Sequence, residues 1–555
     1  MATSTVGELK RAYLRMRKPL SIVLVFIPVL LQSFLIAQEL LAWVPVWAWY
    51  PDPGYQYLLA GAALVSGGAP ALVYHPGTSF QWLVGSLERI FFFVTGDGSF
   101  FASITDSPET YAKAVAVGIG LVFIVSLSVA AWRLYRYWGL WPSLVFQLLI
   151  LWGLPVVSSA RFHLWPESLV LSSGILILAL LAPLCSRGIQ CASNSLVIWL
   201  GVVSGVGLAA KIVFFPLIAV VVIMIPRRRY LVYVGSLLAT LAILAVSIVS
   251  RLPEMWVWFK GVALKPGRHG QVGDWSLIDN FVNGNLAVSG FLRWYVPVTI
   301  ILLALGLGLA IVTWKRKTAS IRPTLALAAG VSLAALMTAK QSEVRDLVVI
   351  IPALAALGAH VVRLFLVWVM SPARRFAVGL TSVLVASYLA LHGVVHHENL
   401  SRSGQVQLES IVRSASGVES LVESGFWGLG YNVWTEQNAL MFGANDGNMF
   451  GPESSDDLLN AEIRQRYPRA LYFDIWGGAF QSITGESELM VLSCDELQQF
   501  LIGGEFGIIV ESIGHVRMDA SGSQILLSDG RATFDGPLPI GDYFMYRFTG
   551  LACDK

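Results

Sequence analysis

Charge is what this sequence has least of. Asp, Glu, Lys and Arg make up 13% of its 555 residues, against about a quarter in an ordinary soluble domain. So low a share excludes a chain solvated on every face. Cysteine is scarce as well, four in all. Cys185 and Cys191 flank a turn and read as ordinary thiols, whereas Cys494 and Cys553 share the C-terminal region, where a disulfide is open to them. No GxxxxGK[ST] loop is present, so a P-loop ATPase is excluded. No HExxH is present either, and His396-His397-Glu398 lacks that zinc spacing. Solenoid-type repeats and low-complexity tracts are missing too. The basic N-terminal stretch lacks a small-x-small cleavage site before its long apolar run, so an uncleaved anchor is expected rather than a signal peptide.

What is there is apolar: 55% of the chain is hydrophobic and mean hydropathy is +0.66. Runs long enough to cross about 30 Å of hydrocarbon recur through the first 395 positions. They lie near 19–44, 111–132, 140–159, 167–185, 195–210, 212–226, 230–250, 294–314, 323–339, 346–369 and 376–394. About 11 transmembrane helices are expected, the fifth and sixth being short enough for a broken or re-entrant pair. Basic residues fall in alternate loops: Lys10, Arg11, Arg15, Arg17 and Lys18, then Arg133 and Arg136, Arg187, Arg227 to Arg229, Lys315 to Lys317 with Arg322, and Arg374 with Arg375. By the positive-inside rule the N-terminus is cytoplasmic. The first outer loop (45–110), a second large outer loop (251–293) and the C-terminal region then lie outside.

Past residue 395 the pattern changes. Short apolar runs such as ALYFDIWG (470–477) and EFGIIVES (505–512) bracket the helical-looking CDELQQFLIGG (494–504). The expectation is an extracytoplasmic α/β or α+β domain over 396–555, following a transmembrane domain over 1–395.

Charges beside a membrane are costly and need a reason. On the expected outer side they are few. Asp52 and His75 belong to the first loop; Arg161, His163 and Glu167 to SSARFHLWPES; Lys211 to the break in GLAAKIVFFP; Lys340, Glu343, Arg345 and Asp346 to TAKQSEVRDLVVIIP. Each cation taken singly reads as an interfacial anchor, and the aromatic cluster around Trp43, Trp47 and Trp49 as an interfacial belt. His75 in His-Pro-Gly reads first as a turn that opens a helix. Together they set acids, histidines and cations on one face, where cations suit a phosphate and an acid suits proton abstraction.

At these residues the sequence resembles the GT-C class of membrane glycosyltransferases, in particular the protein O-mannosyltransferase and aminoarabinose-transferase branch. Asp52 stands where that family carries an acid early in the first outer loop, followed by Tyr55, Tyr57 and Leu58 in a juxtamembrane-helix pattern. YHPGTSFQWLVG (74–85) resembles the turn opening its second juxtamembrane helix. GVGLAAKIVFFPL (205–217) resembles its Gly-rich span ending in Lys, and AKQSEVRDLVVIIPAL (339–354) its late Arg segment. The chain departs from the family in having Pro51 and Pro53 around a single acid and Asp346 after Arg345.

The resemblance implies an inverting transfer of sugar from a polyprenyl-phosphate donor to a lipid, glycan or protein acceptor at the cell envelope. No organelle signal is visible, so a prokaryotic plasma membrane is the expected location. Asp52 would be the general base. Lys211, Arg345, Arg161 and Lys340 would bind the donor phosphate, and His75, Tyr55, Glu167 and His163 the substrates. No cofactor is called for with certainty; a divalent metal is left open, since the carboxylates are too scattered to name its ligands. Membrane lipids are expected partners and nucleic acid is not. Two rival readings stand beside this one: a secondary transporter or lipid flippase, suggested by the break at Lys211, and a non-catalytic assembly subunit of the same fold.

Overall fold

A computed structural model describes residues 2–49, 51–68, 77–96, 98–154, 161–253, 255–257, 260, 291–315, 320–341, 344–369, 371–424 and 440, and strands between 426 and 553. Side chains are described within 19–48, 54–68, 77–96, 98–154, 161–253, 255–257, 260, 296–315, 320–337, 347–369, 371–398 and 440.

The apolar runs form helices. In chain order these are α1 (Ala2–Leu41), α2 (Val46–Trp49), α3 (Pro51–Val65), α4 (Thr78–Thr95), α5 (Phe100–Asp106), α6 (Pro108–Trp138), α7 (Leu140–Trp152) and α8 (Pro166–Arg187). There follow α9 (Asn194–Ala210), α10 (Phe215–Met224), α11 (Tyr230–Ala245), α12 (Phe291–Lys315), α13 (Arg322–Gln341), α14 (Ile350–Trp368) and α15 (Pro372–Ser424). Local sequence sets several of the starts. Ser99 caps α5 by accepting from the Ala102 amide, and Ser193 caps α9 by accepting from the Leu196 amide. Pro108 and Pro166 open α6 and α8, where the missing N–H costs nothing.

Among the described residues seven helices are long and apolar enough to cross a membrane, and four shorter apolar helices accompany them. Every apolar run of the sequence falls on one of these. The chain is therefore mainly helical and reads as an integral membrane protein. The expected short pair is α9 and α10, separated at Lys211. The expected boundary at 395 falls inside α15, which continues unbroken from Pro372 to Ser424.

The chain divides into two compact units. One comprises residues 1–42, 74–79 and 116–399; the other comprises 43–73, 80–115 and 400–555. In the first, α14 is buried along nearly all its length, including Ala353, Ala355, Ala356, Gly358 and Ala359. These small residues let neighbouring helices approach closely, as lipid-embedded packing requires. A Cβ at Gly358 would meet Leu149 of α7 at 2.5 Å.

In the second unit seven strands form one mixed sheet: β1 (Phe426–Leu429), β2 (Leu471–Asp474), β3 (Ala479–Ser482), β4 (Phe506–Val510), β5 (Gln524–Leu527), β6 (Gly530–Ile540) and β7 (Tyr543–Cys553), in the order β3-β2-β1-β4-β7-β6-β5. β1 runs parallel to both β2 and β4, and the remaining pairs are antiparallel. The runs at 470–477 and 505–512 thus contain β2 and β4. The helix expected at 494–504 lies outside the described residues.

Candidate functional site

The second unit holds the Asp52 segment. Asp52 sits in the first turn of α3, three residues and so about one helical turn before Tyr55. Tyr55 is fully buried, and its hydroxyl donates to Oε1 of Glu109 at 2.8 Å. The same carboxylate accepts from Trp43 Nε1 (3.1 Å), the Val46 amide (3.0 Å) and the Trp47 amide (3.2 Å). Val46 and Trp47 are the first two residues of α2, whose amides have no partner within that helix. A carboxylate from 62 and 63 residues downstream supplies one. Glu109 itself occupies the first turn of α6, where a negative charge suits the helix dipole.

α3 packs along α4. Tyr57 meets Phe80 edge to face at 5.1 Å, Gly61 lies against Gly85, and Arg89 Nη2 donates to Ser66 Oγ at 2.9 Å. The successive pairings show the two helices running in the same direction. Arg89 also lies over the Phe100 ring at 3.9 Å. Beside it Glu88 is fully buried, and neither of its carboxylate oxygens has a hydrogen-bond partner among the described residues. Burial pushes its carboxyl well above the usual carboxylate range, with the nearby Arg89 opposing only in part.

The first unit holds the other described candidates, in two clusters. In one, Lys211 Nζ is 2.6 Å from Oε1 of Glu167. Lys211 is the extended residue at which α9 stops: its amide still donates to the Gly207 carbonyl, and its carbonyl accepts from the Phe214 amide to start a short 3-10 turn. Gly207 is required here, because a Cβ would sit 2.6 Å from the Phe214 ring. Glu167 lies in the first turn of α8, and each charge therefore complements the helix end that carries it.

In the other cluster, Arg161 is completely buried. Its Nη2 contacts Glu39 Oε1 at 2.5 Å and its Nη1 donates to Gln32 Oε1 at 3.3 Å, while His397 Nε2 approaches Glu39 Oε1 at 3.3 Å. His163 stacks between Phe162 (4.4 Å) and Trp165 (6.0 Å). Burial drops its imidazole pKa to about 3, outweighing the nearby Glu39 carboxylate, and the neighbouring Arg161 and His397 act in the same direction as burial.

The structure thus brings Lys211 to Glu167 and places Arg161 and His163 around Glu39. His75 and Cys494 lie outside the described residues. So do the side chains of Asp52, Lys340, Arg345 and Cys553, whose backbones lie on α3, α13, the 3-10 turn Val344–Val349 and β7. Most of the 251–293 loop is outside them too. Among the described residues no group of three or more His, Cys, Asp or Glu is arranged to hold a metal ion.

Sequence reasoning did not single out Glu39, Gln32, Glu109 or His397. Glu39 carries the one available signal, a carboxylate within an otherwise apolar membrane-length run. Glu109 directly after Pro108 reads as an ordinary first-turn acid, and nothing local points to α2.

No family model matches the chain, and no curated protein matches it. Among solved structures it is similar to ArnT from Cupriavidus metallidurans. Against the crystal structure bound to undecaprenyl phosphate the TM-score is 0.45 at 12% identity, covering 97% of this chain and 98% of that one. Against the apo form the TM-score is 0.48 at 13% identity, covering 89% and 93%.

Proposed function

We propose that the chain is an inverting glycosyltransferase of the GT-C class, moving a sugar from a polyprenyl-phosphate donor to a lipid, glycan or protein acceptor on the outer face of the membrane. The reading puts the N-terminus in the cytoplasm and both the Asp52 segment and the C-terminal region outside. It rests most on the place of Asp52: the first turn of a short helix that comes soon after the first membrane-length helix in the chain, with only the four-residue α2 between, and is anchored one turn later through Tyr55. An acid held on a tethered helix there is suited to take a proton from a hydroxyl at the membrane surface.

In the proposed reaction the acceptor oxygen attacks the anomeric carbon as Asp52 takes its proton. The bond from that carbon to the phosphate oxygen breaks, and the phosphate leaves with the electron pair. Because the leaving group departs as an anion, a cation serves it better than a general acid. Lys211 is assigned that role, with Arg345 and Lys340. The Glu167 carboxylate now against Lys211 is a partner that the phosphate would replace. Arg161 is assigned to bracing, because its two guanidinium arms are already committed to Glu39 and Gln32.

The test uses purified protein in bilayers and a panel of undecaprenyl-phosphate hexoses and pentoses carrying radiolabelled sugar. Label should pass to a lipid, glycan or protein fraction with wild-type protein, and Asp52→Asn should abolish this at normal abundance. Full activity in Asp52→Asn removes Asp52 as base. The break between α9 and α10 favours a second reading, a transporter with a discontinuous helix; label crossing the bilayer with its carrier chemically unchanged would establish that reading instead.

A further inference from the structure

We propose that Glu109 is a positioning residue for the transfer reaction, fixing the start of α3 from which Asp52 acts; this rests on the reading of Asp52 as the base. Four donors converge on one half-buried carboxylate, and they come from three successive pieces of the chain around Asp52. Trp43 precedes α2, Val46 and Trp47 begin it, and Tyr55 lies one turn beyond Asp52 on α3. Residues 46–49 and 51–65 form two short helices, and a four-residue helix such as α2 has too few internal hydrogen bonds to hold itself. An external acceptor must hold it, and Glu109 is that acceptor.

A second contact joins α2 and the start of α3 independently. A Cβ at Gly54 would meet Val46 Cγ1 at 2.5 Å. The start of α3 is therefore seated on the first residue of α2, the residue whose amide Glu109 holds. Moving α2 would move α3 with it. Asp52 lies two residues before Gly54 and three before Tyr55, and after the two α2 amides that Glu109 holds, so held residues flank it on both sides in the chain.

The carboxylate suits this task better than an amide would. All four partners present hydrogens, and a carboxylate offers about four lone-pair sites and no competing hydrogen. In Glu109→Gln the amide oxygen keeps part of the set, while its NH2 faces donors. Glu109→Ala removes the set entirely.

The test compares wild type, Glu109→Gln, Glu109→Ala, Tyr55→Phe and Asp52→Asn as full-length protein. Three readouts are taken: turnover and KM on the undecaprenyl-phosphate sugar panel, affinity for undecaprenyl phosphate alone, and amide hydrogen exchange over 46–58. A displacement of about 1 Å at a reacting group costs on the order of 100-fold in rate. Glu109→Ala should therefore lose about 100-fold in kcat and Glu109→Gln about 10-fold. KM and undecaprenyl phosphate affinity should stay within about threefold, and exchange over 46–58 should quicken in the same order. Tyr55→Phe, which deletes one donor of the four, should lose only about threefold. If Glu109→Ala does not accumulate, the graded pair Glu109→Gln and Tyr55→Phe decides on the same readouts. Wild-type kcat in the Glu109 variants, or unchanged exchange over 46–58, overturns the proposal while leaving Asp52 as base. Full activity in Asp52→Asn instead removes the base, and Glu109's catalytic role falls with it whatever its own variants do.

Discussion

The Lys211 ammonium rests against the Glu167 carboxylate in a site where Glu167 is 2% and Lys211 17% exposed. Removing one member of such a pair takes a close counter-charge from the other, which is destabilising in a buried site, whereas replacing both with neutral groups of similar volume costs far less. Lys211→Met should therefore lower thermal stability strongly, and Lys211→Met/Glu167→Gln should recover most of the loss. Binding separates the assigned role from a purely structural one. If Lys211 receives the donor phosphate, Glu167→Gln releases it from competition and undecaprenyl phosphate should bind more tightly. Lys211→Met and the restabilised double variant should both bind it poorly. A double variant with wild-type affinity would leave Lys211 as a structural cation only.

Arg161 should behave in the opposite way. Its guanidinium reaches Glu39 with one arm and Gln32 with the other, and His397 shares the same Glu39 oxygen. Arg161→Met should lower stability by taking the guanidinium away from Glu39. Arg161→Lys should not rescue it, since one ammonium cannot reproduce a two-armed contact. Thermal unfolding checks both, and undecaprenyl phosphate affinity, measured on whatever remains folded at lower temperature, should be unchanged. A selective loss of that affinity with normal stability would return Arg161 to the donor site.

The sequence makes the helical scaffold legible because membrane spans are written locally: apolar length and basic flanks suffice for every run that became a helix. It also makes legible the break at Lys211 and the short helix that follows Asp52, since Pro51, Lys211 and their apolar neighbours act within a turn or two. What it does not carry is the pairing of charges. Glu167 and Lys211 are 44 residues apart, Glu39 and Arg161 122, and Tyr55 and Glu109 54. No periodicity encodes which acid meets which base across such separations. That is why Arg161 reads as a phosphate ligand in sequence with no hint of the Glu39 and Gln32 contacts it makes in the fold, and why Glu109 passes for a simple first-turn acid.

His163 gives a pH dependence with a definite sign. Its folded pKa, about 3, lies below the unfolded value of 6.5, so the imidazole is neutral in the fold while the unfolded chain takes up a proton below 6.5. Its contribution to stability is therefore complete above pH 6.5 and is lost as pH falls from 6.5 toward 3, at up to about 1.4 kcal/mol per pH unit. Thermal unfolding of wild type and His163→Asn should diverge least in acid and most at neutral pH, the Asn variant having the flatter profile. Parallel profiles would show that His163 ionises as readily in the fold as out of it.

Gly85 offers a test of whether the α3–α4 contact matters to the chemistry assigned to Asp52. A Cβ there would fall 2.2 Å from the Gly61 carbonyl oxygen and 2.6 Å from Val65 Cγ1. The obstacle is backbone, not a side-chain tip that could swing aside, so Gly85→Ala has to part the two helices. Overpacking of this kind costs about 1–3 kcal/mol. Because α3 carries Asp52 at one end and Gly61 in its middle, any tilt or shift along α4 is transmitted to the first turn, and transfer should fall along with stability. Gly235 in α11 supplies the control, since a Cβ added there meets nothing within 4 Å. There the same substitution relieves the helix penalty of glycine and should hold or raise stability, by up to about 1 kcal/mol. Gly85→Ala should thus be cold-tolerant but heat-labile and slow, and Gly235→Ala stable and fully active. A Gly85→Ala protein with wild-type turnover would mean that α3 can move on α4 without disturbing Asp52, and the anchoring would then have to come from Glu109 and α2 alone.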